Sequence, residues 1–92
     1  MNSVTRETGT TDGYGGNENL GATVTATATC SSGTLISGGG NVTGNNAKHY
    51  AAITASYPSA DGDTWTVVAT IVAGSHVNGN PPSLTAYALC GA

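Results

Sequence analysis

Small apolar and polar residues alternate over most of the chain from residue 22 onward. In the segment 22–30, valine, alanine and cysteine residues share one face, and threonines occupy the other. A strict period of two is typical of a β-strand with one buried face. The same period recurs in the segments 49–57, 64–73 and 83–90. In the first of these it places on one face the residues Ala51, Ile53, Ala55 and Tyr57.

A run of three glycines, residues 38–40, separates two shorter segments, 34–37 and 41–43. Glycine inside a strand often marks a β-bulge or a close approach of another part of the backbone, so we expect one of these here. No segment shows the 3.6-residue period of a helix. The sequence therefore predicts an all-β fold, a small antiparallel sandwich or barrel of five to six strands.

The segment 64–73 differs from the others because both of its faces carry apolar residues. Val67 and Ile71 lie on one face, and Val68 and Val72 lie on the other. Such a pattern is typical of a central strand that is covered on both sides, and we expect that position here.

The predicted strands 22–30 and 64–73 lack the lysines that usually protect sheet edges from pairing with other chains. A chain with no Phe and one Trp builds a small core, and small domains are often stabilised by association. We therefore expect a homo-oligomer. The candidate interface residues are Val68, Val72 and His49, the last because it could meet its own copies on a symmetry axis.

Residues 1–20 are polar, rich in glycine and without periodicity. They predict a flexible stem or linker, followed by one β domain over residues 21–92. Cys30 and Cys90 lie on the apolar faces of the segments that begin and end this domain. We expect a disulfide between them, which closes a loop of about 60 residues and stabilises by roughly 4 kcal/mol. Two buried free thiols are the alternative.

The cysteines and the net charge indicate the protein's environment and exclude some classes of partner. Two cysteines in a chain rich in Thr, Gly and Asn indicate an oxidising, extracellular destination. The chain has two cationic residues, Arg6 and Lys48, and five carboxylates, which gives a net charge of −3. Nucleic acid and anionic membrane surfaces require clustered Lys and Arg, so neither is an expected partner. No apolar run approaches the ~18 residues of a membrane span, so no membrane insertion is expected.

Few residues fit catalytic or metal-binding patterns. Asp61 and Asp63 lie two apart in a turn, as in some calcium loops, but the EF-hand pattern is absent and a solvated turn is favoured. The serines lie in no nucleophile motif, and no His or Cys lies at metal-ligand spacing. We therefore expect no enzyme, no metal and no other cofactor.

Two polar loops, 58–63 and 75–80, offer the groups that bind sugars. Their carboxylate, amide and hydroxyl groups match the hydroxyls of a neutral glycan, and loops on a rigid sheet are common binding sites. Tyr57 is the nearest aromatic residue that could stack on a sugar ring; packing at the rim of the core is its alternative role. The candidate ligand-binding residues are Tyr57, Asp61, Asp63, His76, Asn78 and Asn80.

Four motifs occur in order: Cys-x-x-Gly-x-Leu-Ile-x-Gly-Gly-Gly at 30–40, Ala-Ser-Tyr-Pro at 55–58, Trp-x-Val-x-Ala at 65–69 and Leu-x-Ala-Tyr-Ala-Leu-Cys at 84–90. Together they resemble the small C-terminal β domains of actinobacterial phage tail-fibre or minor tail proteins and of actinobacterial secreted proteins, often behind collagen-like stems. Ser31 stands where family examples often have Pro, and this sequence contains no Gly-X-Y repeat.

The resemblance implies a terminal head of a fibre, which trimerises, binds a receptor on the host surface, or does both. It implies no catalytic residue, and it implies a location outside the cell or on a virion surface. A structural or adhesive domain of a secreted bacterial surface protein is the alternative function.

Overall fold

The computed structural model describes residues 4–11, 21–44, 49–74 and 82–91. These residues form six β-strands and no helix. In chain order the strands are β1 (Val4–Thr11), β2 (Thr23–Thr29), β3 (Thr34–Thr43), β4 (His49–Pro58), β5 (Thr64–Gly74) and β6 (Ser83–Gly91). The prediction of an all-β fold with five to six strands is confirmed.

The strands form two antiparallel three-stranded sheets that pack face to face as a sandwich. One sheet has the order β1-β6-β3 and the other has the order β2-β5-β4, so β6 and β5 are the central strands. The alternation read from the sequence explains this packing, because every second residue of each central strand enters the core. The buried hydrophobic residues are Val24, Ala26, Ala28, Ala51, Val67, Ala69, Ile71, Leu84, Ala86, Ala88 and Cys90.

The core is built mainly from very small side chains. Six of those eleven buried residues are alanine, and glycines face inward beside them. A Cβ atom on Gly9 of β1 would overlap the backbone oxygen of Thr27 in β2. The two sheets therefore lie close together at this edge. Because the buried side chains are so small, each residue contributes little buried apolar area to the core.

The prediction of a central strand over 64–73 is confirmed, but the expectation that both its faces are covered is wrong within one chain. Val72 is 46% exposed and Val68 is half-buried. The reason is that a sandwich of two layers gives each sheet one inner face. The apolar residues on the other face of β5 therefore reach solvent.

The glycine run lies inside a continuous strand. The shift of register in β3 falls between Leu35 and Ser37, before the glycines, so Ile36 is the extra residue. Gly38 and Gly40 face inward, and a Cβ on Gly38 would overlap the indole ring of Trp65. The inward glycines thus make room for the side chains of Trp65 and Val67, and the predicted bulge lies beside them, at Ile36.

The expectation of a flexible stem is wrong for residues 4–11, which form β1. This strand pairs with β6 from Val4 opposite Gly91 to Thr11 opposite Leu84. The sequence shows no apolar alternation here, because the half-buried positions of this edge strand are Glu7, Gly9 and Thr11 rather than apolar residues. Backbone pairing rather than hydrophobic burial holds β1 in place. The rest of the expected stem, 1–3 and 12–20, lies outside the described residues.

The face predicted for the segment 49–57 is also corrected. The register of β4 shifts between Ile53 and Ala55, so Thr54 is an extra residue that inverts the alternation. Ala51 is buried opposite Ile71, whereas Tyr57 lies opposite Thr66 on the outer face. A strictly alternating strand would have put Ala51 and Tyr57 on the same side.

A disulfide joins Cys30 to Cys90, as the sequence predicted. Cys30 directly follows β2 and Cys90 belongs to β6, so the bond links one sheet to the other. The backbone N–H of Cys30 also donates a hydrogen bond of 2.9 Å to the carbonyl oxygen of Asp63. The start of β5 is thereby tied to the same end of the sandwich.

Candidate functional site

The turn between β4 and β5 has a defined hydrogen-bonded shape. Asp61 accepts the backbone N–H of Asp63 at Oδ1, 2.9 Å away, and its Oδ2 lies 3.5 Å from the hydroxyl of Thr64. Gly62 has a φ of +77°, a conformation that favours glycine. The carboxylate of Asp61 therefore stabilises the turn through its own hydrogen bonds.

The same turn carries two carboxylates, and within the described residues they belong to no larger cluster of metal-ligating side chains. Asp61 and Asp63 are exposed, and the described residues contain no group of three or more His, Cys, Asp or Glu side chains that could hold an ion. The sequence favours a solvated turn here, and the hydrogen bonds of Asp61 are those of a turn.

Three of the six candidate ligand-binding residues share one hairpin. Tyr57 is the penultimate residue of β4 and is 47% exposed, and the turn that follows this strand carries Asp61 and Asp63. Ser59 lies 2.6 Å from the hydroxyl of Thr66 and so anchors the start of this turn to β5. The other three candidates, His76, Asn78 and Asn80, lie outside the described residues.

Trp65 is half-buried and packs against the core. Its Nε1 donates a hydrogen bond of 2.8 Å to the hydroxyl of Ser56, and its ring packs over Gly38. The indole is half-buried. Tyr57 is therefore the exposed aromatic residue next to the turn.

The outer face of the β2-β5-β4 sheet, here called the threonine face, carries the candidate interface residues Val68 and Val72. Its β2 edge presents four exposed threonines, Thr23, Thr25, Thr27 and Thr29. Hydroxyl pairs cross the sheet between strands, such as Thr54 with Thr70 at 2.9 Å. His49 is the first residue of β4, and its side chain lies outside what the structure describes.

The outer face of the β1-β6-β3 sheet, here called the Tyr87 face, was not identified from the sequence. The guanidinium carbon of Arg6 lies 5.2 Å from the centroid of the Tyr87 ring. Thr8 of β1 and Gly39 of β3 are the residues opposite Tyr87 on either side. The sequence pattern predicts a flexible stem around Arg6, so only the pairing of β1 with β6 reveals this contact.

Comparisons of this chain with protein-family models, with curated proteins and with solved structures find no match. Within the described ranges there is also no helix that is long and apolar enough to cross a membrane.

Proposed function

We propose that this chain is a non-enzymatic fibre-tip domain of a phage or phage-like particle, which trimerises and binds a glycan on the host surface. The observation that carries the proposal is the exposure of apolar and aromatic residues on the threonine face of a disulfide-linked sandwich. Val72 is 46% exposed and Tyr57 is 47% exposed on this face. The disulfide supports an extracellular or virion location.

The trimer is proposed from the composition of the threonine face. Apolar Val68 and Val72 lie on its central strand, β5, and the neighbouring edge strand β2 carries no charged side chain. A second chain that covers these residues removes apolar area from water and protects the edge of β2. An adhesive domain of a secreted bacterial protein remains the alternative function, because a disulfide is equally expected in a secreted protein.

Replacing Val68 by aspartate tests the trimer. We expect light scattering to give three times the chain mass for the native protein and a lower mass for Val68→Asp, because an unpaired charge would be buried in an apolar contact. The matched control is Val4→Asp, since Val4 is 52% exposed and belongs to the other sheet. A native monomer, or a Val68→Asp protein that keeps the native mass and melting temperature, would contradict the proposed interface.

The glycan is proposed from the balance of charge and hydroxyl groups. With a net charge of −3 and two cations, the chain has little with which to attract a charged ligand. Exposed threonines, the polar β4–β5 turn and Tyr57 instead match the hydroxyls and apolar ring faces of a sugar.

Pull-down on purified host cell walls tests glycan binding. We expect the native chain to bind at low salt and to remain bound at 1 M salt, roughly a 3 Å screening length, because few contacts are ionic. The triple variant Tyr57→Ala, Asn78→Ala, Asn80→Ala should bind less than the native chain. Release of the native chain by modest salt, or the absence of binding, would contradict the glycan assignment.

A further inference from the structure

Of the six strands, β1 is the one that supplies no residue to the hydrophobic core or to the apolar residues packed against it. All of its side chains are exposed or half-buried, and β6 is the strand with which it pairs. It also lies outside the loop that the Cys30–Cys90 bond closes. β1 can therefore leave its place while the disulfide and the core hold the other five strands together.

Departure of β1 uncovers a groove between β6 and β2, here called the β1 groove. One wall is the edge of β6 over residues 84–91, whose backbone groups pair with β1. The other wall is β2, where the backbone oxygen of Thr27 approaches Gly9. An open strand edge is a template for another extended segment. The vacated groove therefore favours refilling by a β-strand.

The β1 groove selects the sequence that it holds. Gly9 is required at its position, because a Cβ atom there would overlap the carbonyl oxygen of Thr27. At the next position, the hydroxyl of Thr10 lies 3.0 Å from the hydroxyl of Thr85. A strand without glycine at this point cannot seat at the same depth.

The two charged residues of β1 add to this selection. The carboxylate of Glu7 accepts a hydrogen bond of 2.7 Å from the hydroxyl of Ser31, and the guanidinium of Arg6 lies over the ring of Tyr87. The groove thus fits the sequence Arg-Glu-Thr-Gly-Thr of residues 6–10. A second copy of the chain carries the same strand.

Exchange of β1 between two copies keeps every one of these contacts. The same residues meet in both arrangements, and only the path of residues 12–22, which connect β1 to β2, changes. The balance between the closed chain and the exchanged pair is then set by the chain concentration rather than by new contacts.

We propose that the β1 groove binds β1 of a second copy of the chain, so that two chains associate by exchanging this strand. The groove belongs to the edge of the β1-β6-β3 sheet, so the exchange is separate from the threonine face of the other sheet. It depends on neither the proposed trimer nor the proposed glycan.

Disulfide cross-linking between two variant chains tests the exchange. One chain carries Thr10→Cys and the other carries Thr85→Cys, so the in-register bond forms when β1 of the first chain pairs with β6 of the second. A strand connected to its own groove has an effective concentration of about 1 mM, so at about 0.1 mM chain roughly one groove in ten should hold the partner's strand. We expect a covalent pair on a non-reducing gel, with the bond located by peptide mass mapping.

Two matched pairs of variants control for random collision and for register. Thr25→Cys in place of Thr85→Cys moves one thiol to an exposed threonine of the other sheet. Thr8→Cys in place of Thr10→Cys moves the other thiol two residues along the same face of β1, about 7–8 Å from Thr85 and too far for a disulfide. Both pairs should cross-link at a rate about tenfold lower or less, and rates equal to that of the in-register pair would overturn the proposal.

Gly9→Val separates strand exchange from any other association of the chains. In the Thr10→Cys chain it should abolish the cross-link, because that strand then fits no groove. In the Thr85→Cys chain it should raise the initial rate by up to about tenfold, because that chain's own strand no longer competes. Circular dichroism should show that the variant keeps its β-structure, since β1 supplies no core residue.

A second variant makes the test independent of how Gly9→Val folds. A single chain with both Thr10→Cys and Thr85→Cys, oxidised before mixing, has its own β1 locked in the groove. It should form no covalent pair with either single variant. The same effect of Gly9→Val in both chains, or pairing of the locked chain through its β1 groove, would overturn the exchange.

Discussion

Replacing Cys30 and Cys90 together by alanine should lower the free energy of unfolding by about 4 kcal/mol. The bond closes a loop of sixty residues, and the loss of that constraint on the unfolded chain accounts for the magnitude. Domains of this size have a total stability of about 5–15 kcal/mol. Urea denaturation of the native and double-variant proteins measures the difference, and the variant is expected to be close to unfolding at 37 °C.

The same bond can be tested without changing the sequence. Reductant should lower the urea midpoint of the native protein and leave that of the double variant unchanged. Ser32→Ala is a suitable control, because Ser32 is exposed and close to Cys30, so it should change stability by less than about 0.5 kcal/mol. Two free thiols in aerobically purified protein, detected by intact mass after alkylation, would contradict the disulfide.

Gly38→Ala should cost about 3 kcal/mol, at the upper end of the usual range for overpacking. The added Cβ would overlap the ring of Trp65 and lie 2.6 Å from the carbonyl oxygen of Tyr87. The ring can turn aside only by losing its hydrogen bond to Ser56, and the carbonyl oxygen belongs to a central strand that cannot move freely. Thermal and urea unfolding measure the loss.

The neighbouring glycine supplies the matched control. Gly39→Ala adds the same methyl group one residue along, where no atom lies within 4 Å. It should be neutral or stabilise by up to about 1 kcal/mol, because alanine restricts the unfolded chain. Equal losses for the two variants would mean that the inner and outer faces of β3 have been assigned wrongly.

The fold was predictable where a strand obeys a strict period of two and buries one face. β2 follows the rule along its whole length and β6 follows it as far as Cys90, and the disulfide follows from the apolar faces on which the cysteines lie. β1 was missed because an edge strand can be held by backbone pairing alone, with Glu7 and Gly9 at its half-buried positions. The face of Tyr57 was missed because no residue type identifies Thr54 as the extra residue of a bulge.

The candidate sites could be predicted only where their residues are close in sequence as well as close in space. Tyr57, Asp61 and Asp63 lie in one hairpin, so their proximity needs no tertiary information. The contact between Arg6 and Tyr87 joins residues at opposite ends of the sequence. The difference between Gly38 and Gly39 likewise depends on which residue faces Trp65. A run of three glycines in the sequence does not indicate which of them that is.

β1 lies outside the segment that the disulfide encloses, which decides how the domain responds to mechanical load. Because Val4 pairs with Gly91, a force that pulls the two chain ends apart opens the β1–β6 ladder one pair at a time instead of shearing it. The covalent path then passes from Cys30 directly to Cys90. Residues 31–89 carry none of the covalent load, so extension stops at Cys30, and β3 to β5 with most of β6 remain within the enclosed loop.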